Sequence, residues 1–197
     1  MTEPHDISAE QFAKALHWGF DRSRKDGHAT NSAGEWSRYV FPLLAAIAEQ
    51  HGLWWAGGNT EAKRSRRGEA REYLWDFTLY HPDKDGVWNL PRVIIEHENA
   101  HDLDAFRLDH WKTLCGVARL RVAIGYVGAT AKNRRHEWVE AINDAARERA
   151  NAWHFPQGAE DLIALGYFGM TTDGNYQFWR RRDDERVWTP LEVSTTT

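Results

Sequence analysis

The segment VIIEHENAHDLD, which spans Val93–Asp104, constrains the fold of this chain most strongly because it predicts two incompatible structures. Read as HENAH, it matches H-E-x-x-H, in which one helix places His97 and His101 on a zinc ion. Read as VIIEHE, it indicates a buried strand that ends in two acids, Glu96 and Glu98, separated by one residue. Only one of these secondary structures can form. The segment therefore decides between a zinc site on a helix and an acidic site on a strand.

The composition of the segment favours the strand. Val93–Ile95 is a contiguous β-branched run, and such residues lose side-chain freedom in a helix. Asn99 and Asp102 are turn and cap residues at positions where the zinc reading needs an unbroken helix. A third zinc ligand is also hard to find, because the downstream candidates Asp109 and His110 must share the following helix. A zinc metallopeptidase, with the glutamate of the motif as its base, stays as an alternative.

The composition of the whole chain predicts one globular domain. Its 197 residues are 42% hydrophobic, which is enough for a sizeable core. The net charge is −4, so any contact with nucleic acid must come from local basic patches. The single cysteine excludes an internal disulfide framework, and no apolar run is long enough to span a membrane. These features indicate a cytoplasmic protein without a membrane partner.

Hydrophobic periodicity predicts the element order α-α-β-β-β-α-β-α-β-β-β. We expect a single domain over residues 1–197, with an N-terminal helical extension over 1–34 and a core over about 35–155. Three further strands predict a C-terminal β-meander over 160–193. The first helix should be capped by Asp6 or Ser8.

A helix predicted over Asp102–Ala118 crosses between two apolar strands, Arg92–Glu98 and Arg121–Val127. Such a crossover makes the two strands parallel neighbours in one sheet. The fold class is therefore α/β, with a mixed sheet flanked by helices. The buried face of the crossover helix is expected to consist of Leu103, Phe106, His110, Trp111, Leu114, Cys115 and Ala118.

An isolated acid lies in the strand that precedes VIIEHE. Aromatic residues alternate with others over Arg71–His81, and Asp76 interrupts this pattern. Alternate residues of a strand share a face, so Glu96 and Glu98 point the same way, and Asp76 can meet them if the strands pair. Three converging carboxylates would repel one another without a cation, and their oxygens suit Mg²⁺ or Mn²⁺. The alternative is an acidic sheet edge that discourages aggregation.

The order of these features resembles the PD-(D/E)XK nuclease superfamily, which includes many restriction endonucleases and repair nucleases. An acid in one strand precedes an apolar strand ending in E-x-E, a helix and another apolar strand, over about residues 35–128. The resemblance implies a restriction-endonuclease-like core, Mg²⁺ or Mn²⁺ as cofactor, and cleavage of phosphodiester bonds in nucleic acid, above all DNA. Asp76 matches the first acid of the motif and Glu96 the second. The acid contributed by the preceding helix would be Glu35, or Glu49.

Two positions depart from the motif. Trp75 precedes Asp76 where the family commonly has proline, and Glu98 stands where it usually has lysine. The resemblance implies a lysine that positions the attacking water. Either Glu98 replaces it, as a base and third metal ligand, or Lys112 reaches in from the following helix. A third reading is that Glu98 marks a catalytically inactive module that binds nucleic acid or a protein partner.

Basic and polar residues near these acids are the candidates for contacts with nucleic acid. Arg64, Arg66 and Arg67 lie in the segment AKRSRRGEAR and could hold phosphates. Asn99 and Arg107 follow the E-x-E strand and could add further contacts. Packing explains most of the eleven tryptophans, although one or two could stack on bases. Cleavage of both strands of a duplex would favour a two-fold homodimer, which the sequence itself does not show.

Overall fold

Four helices flank one mixed sheet of eight strands in the part of the chain that the computed structural model describes, residues 6–25, 33–57, 68–69, 74–81, 90–128, 134–150, 158–167 and 176–193. The helices are α1 (Ala9–Lys25), α2 (Ala33–Gln50), α3 (Leu103–Cys115) and α4 (Arg135–Ala150). The strands are β1 (Trp54–Gly57), β2 (Gly68–Glu69), β3 (Phe77–Tyr80), β4 (Val93–His97), β5 (Leu120–Val127), β6 (Glu160–Tyr167), β7 (Gln177–Arg182) and β8 (Thr189–Leu191). The α/β class predicted from the sequence is confirmed.

The strands follow the order β2-β1-β3-β4-β5-β6-β7-β8 across the sheet. Strands β1, β3 and β4 are antiparallel neighbours, whereas β4, β5 and β6 run parallel. The predicted parallel pairing across α3 is confirmed, with Glu96 of β4 opposite Ala123 of β5. The C-terminal strands β6, β7 and β8 form the expected antiparallel meander, in which Trp179 lies between Ile163 and Pro190. Because β6 also pairs with β5, the meander continues the core sheet.

The sheet separates two hydrophobic clusters. Helices α1 and α2 cover one face, which receives Val93 and Ile95 of β4. Phe106 of α3 and Trp138 of α4 pack on the other face, together with Ala123 of β5. Side chains alternate along a strand, so Glu96 points towards the face that α3 covers. A charged residue is thereby placed under a helix in an otherwise apolar strand.

The ends of the helices follow capping residues in the sequence. The hydroxyl of Ser8 accepts from the Gln11 amide at 3.2 Å, and the Gln11 side chain accepts from the Ser8 amide at 2.9 Å. This reciprocal capping box starts α1. Gly52, with φ of 70°, closes α2, as expected. Asp102 caps α3 through a 3.2 Å hydrogen bond from the Asp104 amide.

The structure corrects two predictions about the elements around the acids. The predicted strand Arg71–His81 is shorter: β3 begins at Phe77, and residues 74–76 form a bend before it. The buried face of α3 is also rotated relative to the prediction. Trp111 and Cys115 are exposed, whereas the buried residues of the helix are Phe106, Asp109, His110, Thr113 and Leu114.

Candidate metal centre

Three carboxylates meet at the carboxyl end of β4. Asp76, Glu96 and Asp109 each offer one oxygen, and these three oxygens lie within 4.8 Å of one another. Strand β3 pairs Phe77 with Ile95 in antiparallel register, so Asp76, one residue before, comes opposite Glu96. Asp109 arrives from the buried face of α3, which covers this part of the sheet. Three separate elements therefore bring the acids together.

Backbone and ring contacts fix this arrangement. The Asp76 carboxylate accepts a 2.8 Å hydrogen bond from the His97 amide at the end of β4. The Trp75 indole donates to the backbone carbonyl of Lys112 at 3.2 Å, which ties the segment before β3 to the end of α3. Gly116 permits this close approach, because a Cβ there would lie 2.8 Å from the Trp75 ring.

Gly57 supports the position of Asp76 from the neighbouring strand. Its φ is 147°, and a Cβ would lie 2.3 Å from the Asp76 carbonyl oxygen and 2.6 Å from the Phe77 Cα. Gly57→Ala is therefore expected to lower the free energy of unfolding by about 2 kcal/mol or more and to displace Asp76. Urea unfolding and Mn²⁺ titration would measure both effects. Gly128→Ala is the control, since a Cβ there meets nothing within 4 Å; equal urea midpoints for the two variants would contradict this expectation.

Lys112 supplies a positive charge beside the three acids. Its Nζ lies 2.6 Å from Asp109 Oδ1 and 3.6 Å from Glu96 Oε2. The hydrogen bond to Asp109 raises the pKa of Lys112, so the amine stays protonated at neutral pH. Its side chain is 42% exposed, so the ammonium group can also contact a molecule in solution. The structure thus brings Lys112 from α3 to the acids, as one reading of the sequence proposed.

Glu96 has a strongly raised pKa. Burial and the negative charges of Asp76 and Asp109 raise the pKa of Glu96 to about 9, although Lys112 acts in the opposite direction. At neutral pH the carboxyl group therefore keeps its proton and is hydrogen-bonded to Asp76. A cation placed among the three carboxylates would favour the ionised form.

The donor set fits a magnesium or manganese ion. All three ligand groups are carboxylates, and hard divalent cations prefer such oxygens. Oxygens bound to one Mg²⁺ lie about 3 to 4 Å apart, given Mg–O distances of about 2.1 Å. The three oxygens, which all lie within 4.8 Å of one another, are close to this spacing. Among the described residues, this is the one group of three or more His, Cys, Asp or Glu with such convergence.

Glu98, a third acid expected at the site, lies elsewhere. Strand β4 ends at His97, and the Glu98 side chain turns back to accept a 2.6 Å hydrogen bond from the Ala100 amide. The structure therefore does not bring Glu98 into the acidic group. Glu35 belongs to α2, but its side chain lies outside the described residues, as do Arg64, Arg66 and Arg67.

Two of the expected nucleic-acid contacts have other partners here. The Asn99 side chain donates to the Ser37 hydroxyl of α2 at 2.8 Å. Arg107 is exposed on α3, with its guanidinium 3.5 Å from the exposed carboxylate of Asp104. Asn99 thus joins the end of β4 to α2, whereas Arg107 remains open to solvent.

The zinc alternative lacks the helix that it requires. His97 is the last residue of β4, and His101 is exposed in the bend before α3. His97 points to the face covered by α2, where its Nε2 is hydrogen-bonded to the Tyr126 hydroxyl at 2.8 Å and its ring contacts Phe41. Burial lowers the pKa of His97 to about 3. The two histidines of HENAH therefore do not share one helical face.

Asp109 is the residue that sequence reasoning misses. The E-x-E pattern already supplies a third acid at Glu98, so nothing requires another one from the helix. The available signal is the spacing of three residues between Asp109 and Lys112, which places both on one side of α3. That spacing becomes informative only when this side is known to face Glu96.

Comparison with known proteins gave no match, whether to family models, to curated proteins or to solved structures. Within the described residues, no helix is both long and apolar enough to cross a membrane. The function therefore has to be inferred from the chemistry of the site itself.

Proposed function

We propose that this chain is a Mg²⁺- or Mn²⁺-dependent nuclease of the PD-(D/E)XK type that cleaves phosphodiester bonds in DNA. The observation that carries this proposal is the meeting of Asp76 and Glu96, the two acids of the motif, with the ammonium group of Lys112. The alternative, an acidic sheet edge that discourages aggregation, does not require a lysine of the covering helix to contact the acids. Acids and lysine together are the groups that the resemblance implies.

The order of the elements supports the same proposal. Helix α2 is followed by the antiparallel strands β1, β3 and β4, by α3, and by β5 parallel to β4. The resemblance implies a first acid in one strand and a second acid in the apolar strand that follows it. Asp76 lies directly before β3, and Glu96 lies in β4. Lys112 then takes the role of the lysine that the motif normally carries two residues after Glu96.

Asp76, Glu96 and Asp109 would hold the metal ion. When bound, Mg²⁺ supplies Lewis-acid chemistry, because it polarises a phosphoryl oxygen and makes water a stronger acid. The His97 amide keeps the Asp76 carboxylate oriented towards Glu96 throughout. Asp109 holds Lys112 in place through the 2.6 Å hydrogen bond.

Lys112 would act on the phosphodiester and on the attacking water. Its ammonium group remains charged at neutral pH and is partly open to solvent. A positive charge at this position stabilises the negative charge that builds on the phosphate oxygens during hydrolysis. Its N–H groups can also donate to a water molecule and orient it for attack. Three acids and one lysine thus provide both metal binding and charge compensation.

The wider contacts follow from the same proposal. Arg107 and the arginines at 64, 66 and 67 would hold phosphates, and such binding weakens as salt rises. A two-fold homodimer would suit cleavage of both strands of a duplex. The cytoplasmic location inferred from composition stays a prediction.

The test uses the purified full chain with supercoiled plasmid and linear DNA, in Mg²⁺, Mn²⁺ or EDTA. Cleavage should require one of the two metals. Asp109→Asn should lower the cleavage rate at least about 100-fold and weaken Mn²⁺ binding, because it removes a ligand and releases Lys112. Asp104→Asn is the matched control, since that carboxylate is exposed on the same helix and outside the group.

Four results would contradict the proposal. Cleavage in EDTA would remove the requirement for metal. Equal cleavage by Asp109→Asn and Asp104→Asn would remove the acidic group from the reaction. DNA binding without cleavage under any condition would identify an inactive binding module instead. Stoichiometric zinc that is bound by the wild type and lost in His101→Ala would instead support the zinc metallopeptidase.

A further inference from the structure

A large apolar side chain lies in solvent next to the proposed site. Trp111 is 55% exposed, although it is in the middle of α3 and directly precedes Lys112. Leu108, one turn earlier on the same side of the helix, is also 55% exposed. Exposed apolar side chains that lie together often mark a surface used for binding. The rotation of α3 that buries Asp109 is what turns Trp111 outwards.

These residues border a groove between α3 and α4. The groove has a volume of about 400 Å³ and is lined by Arg107, Leu108, His110, Trp111 and Ile142. His110 and Ile142 are buried and form its floor, whereas the other three are exposed at its rim. This volume falls within the range of small-molecule sites, about 300–1,000 Å³.

The rim of the groove and the acidic group are both reached from α3. Leu108 and Lys112 are four residues apart, so they are neighbours one turn apart on the surface of α3. The backbone positions of these two residues are about one helical turn, or roughly 5 Å along the helix axis, apart. Arg107 adds a second positive charge at this rim, and its guanidinium is about half exposed. Together these residues present an aromatic ring between two cations.

We propose that this groove binds an unstacked base of single-stranded DNA beside the phosphodiester that is cleaved. Trp111 provides the stacking surface and Arg107 contacts the neighbouring phosphate. A base within an intact duplex is already stacked on both sides, so it cannot occupy the groove. An aromatic ring flanked by cations is the arrangement by which proteins bind single strands without reading their sequence. This inference rests on the proposed function and narrows its substrate to single-stranded or locally unpaired DNA.

The test measures binding of a fluorescent 20-nucleotide single strand and of the matching duplex by anisotropy, in EDTA so that no cleavage occurs. The wild-type chain should bind the single strand more tightly than the duplex. Trp111→Ala should weaken single-strand binding roughly 5- to 150-fold, whereas Trp111→Phe, which keeps a ring, should lose far less. Trp18→Ala is the matched control, because Trp18 is 57% exposed on α1. Arg107→Ala should reduce the slope of log affinity against log salt concentration by about 1, which corresponds to the loss of one phosphate contact.

The outcomes separate this inference from the proposed function. If Trp111→Ala and the wild type bind the single strand with equal affinity, the proposal that the groove binds a base is wrong, even if metal-dependent cleavage persists. Tighter binding of the duplex than of the single strand would also overturn it. If no metal supports cleavage but Trp111→Ala still loses single-strand binding, the groove stands and the nuclease proposal fails. Thermal melting of each variant would show that Trp111→Ala is folded.

Discussion

Replacing Glu96 with glutamine is expected to abolish metal-dependent cleavage and, at the same time, to stabilise the metal-free chain by about 3 kcal/mol at pH 7. The two effects share one cause. Glu96 is only 2% exposed, and this burial, together with the neighbouring carboxylates of Asp76 and Asp109, raises its pKa to about 9. Glu96 therefore lowers the stability of the folded chain at neutral pH, although the proposed metal site would require it. Glutamine keeps the shape of the side chain and removes the charge.

The pKa values of Glu96 in the folded and unfolded chain determine how the stability difference between Glu96→Gln and the wild type changes with pH. Glu96 has a pKa of about 9 in the folded chain and an ordinary value of 4.5 when unfolded. The stability that its protonated form contributes is fully present below pH 4.5 and is lost progressively as pH rises towards 9. Glutamine has no proton to lose. The stability advantage of Glu96→Gln over the wild type should therefore grow between pH 4.5 and 9.

Urea unfolding at several pH values, with and without Mg²⁺, would measure both parts of the prediction. Mg²⁺ should stabilise the wild type, because it binds only the folded chain, and should leave Glu96→Gln unchanged. Glu98→Gln is the matched control, since the same substitution two residues later falls outside the acidic group. A Glu96→Gln variant that is less stable than the wild type at pH 8 would contradict this account of the site.

Replacing Asp161 with asparagine is expected to destabilise the chain by about 3–5 kcal/mol. Asp161 of β6 is buried between two buried arginines, Arg121 of β5 and Arg181 of β7. It accepts from Arg121 Nε at 2.5 Å and from Arg181 Nε at 3.1 Å. Burial alone would raise the pKa of Asp161, but the two guanidinium groups lower it overall. Without the carboxylate, the two buried guanidinium groups would lose the negative charge that lies between them.

Thermal and urea unfolding would measure this loss. For a chain of this size, about 3–5 kcal/mol corresponds to a fall in melting temperature of roughly 10 °C. Asp184→Asn is the control, because Asp184 is exposed in the turn after β7. The double variant Asp161→Asn with Arg181→Met should recover part of the stability, since it removes one of the two positive charges that lose the Asp161 carboxylate. A loss below about 1 kcal/mol for Asp161→Asn would show that the pair contributes little net stability.

The sequence predicts those parts of the fold that depend on local pattern. The β-branched run Val93–Ile95 marks a buried strand, and the crossover helix forces β4 and β5 to be parallel. Asp76 and Glu96 follow from the same reasoning, because the antiparallel register of β3 and β4 brings them opposite each other. Their meeting needs only two strands and one turn to be placed correctly.

The remainder of the site depends on packing that the sequence does not reveal. The rotation of α3 about its axis decides whether Asp109 or Trp111 faces the sheet, and an apolar pattern alone favours Trp111. The contact of Gly116 with the Trp75 ring holds the end of the helix close to β4. The prediction that Glu98 joins the acidic group is wrong for a different reason. Strand β4 ends one residue before Glu98, so the alternation that would place Glu98 on the same face as Glu96 no longer applies.

The short last strand limits how two copies of this chain can associate. Strand β8 has three residues and includes Pro190, which has no amide hydrogen. It is the terminal strand on its side of the sheet, as far as the described residues extend. An incoming strand would find little backbone to pair with, so growth of the sheet from chain to chain is disfavoured at this edge. Two copies of this chain are therefore not expected to join their sheets into one through β8.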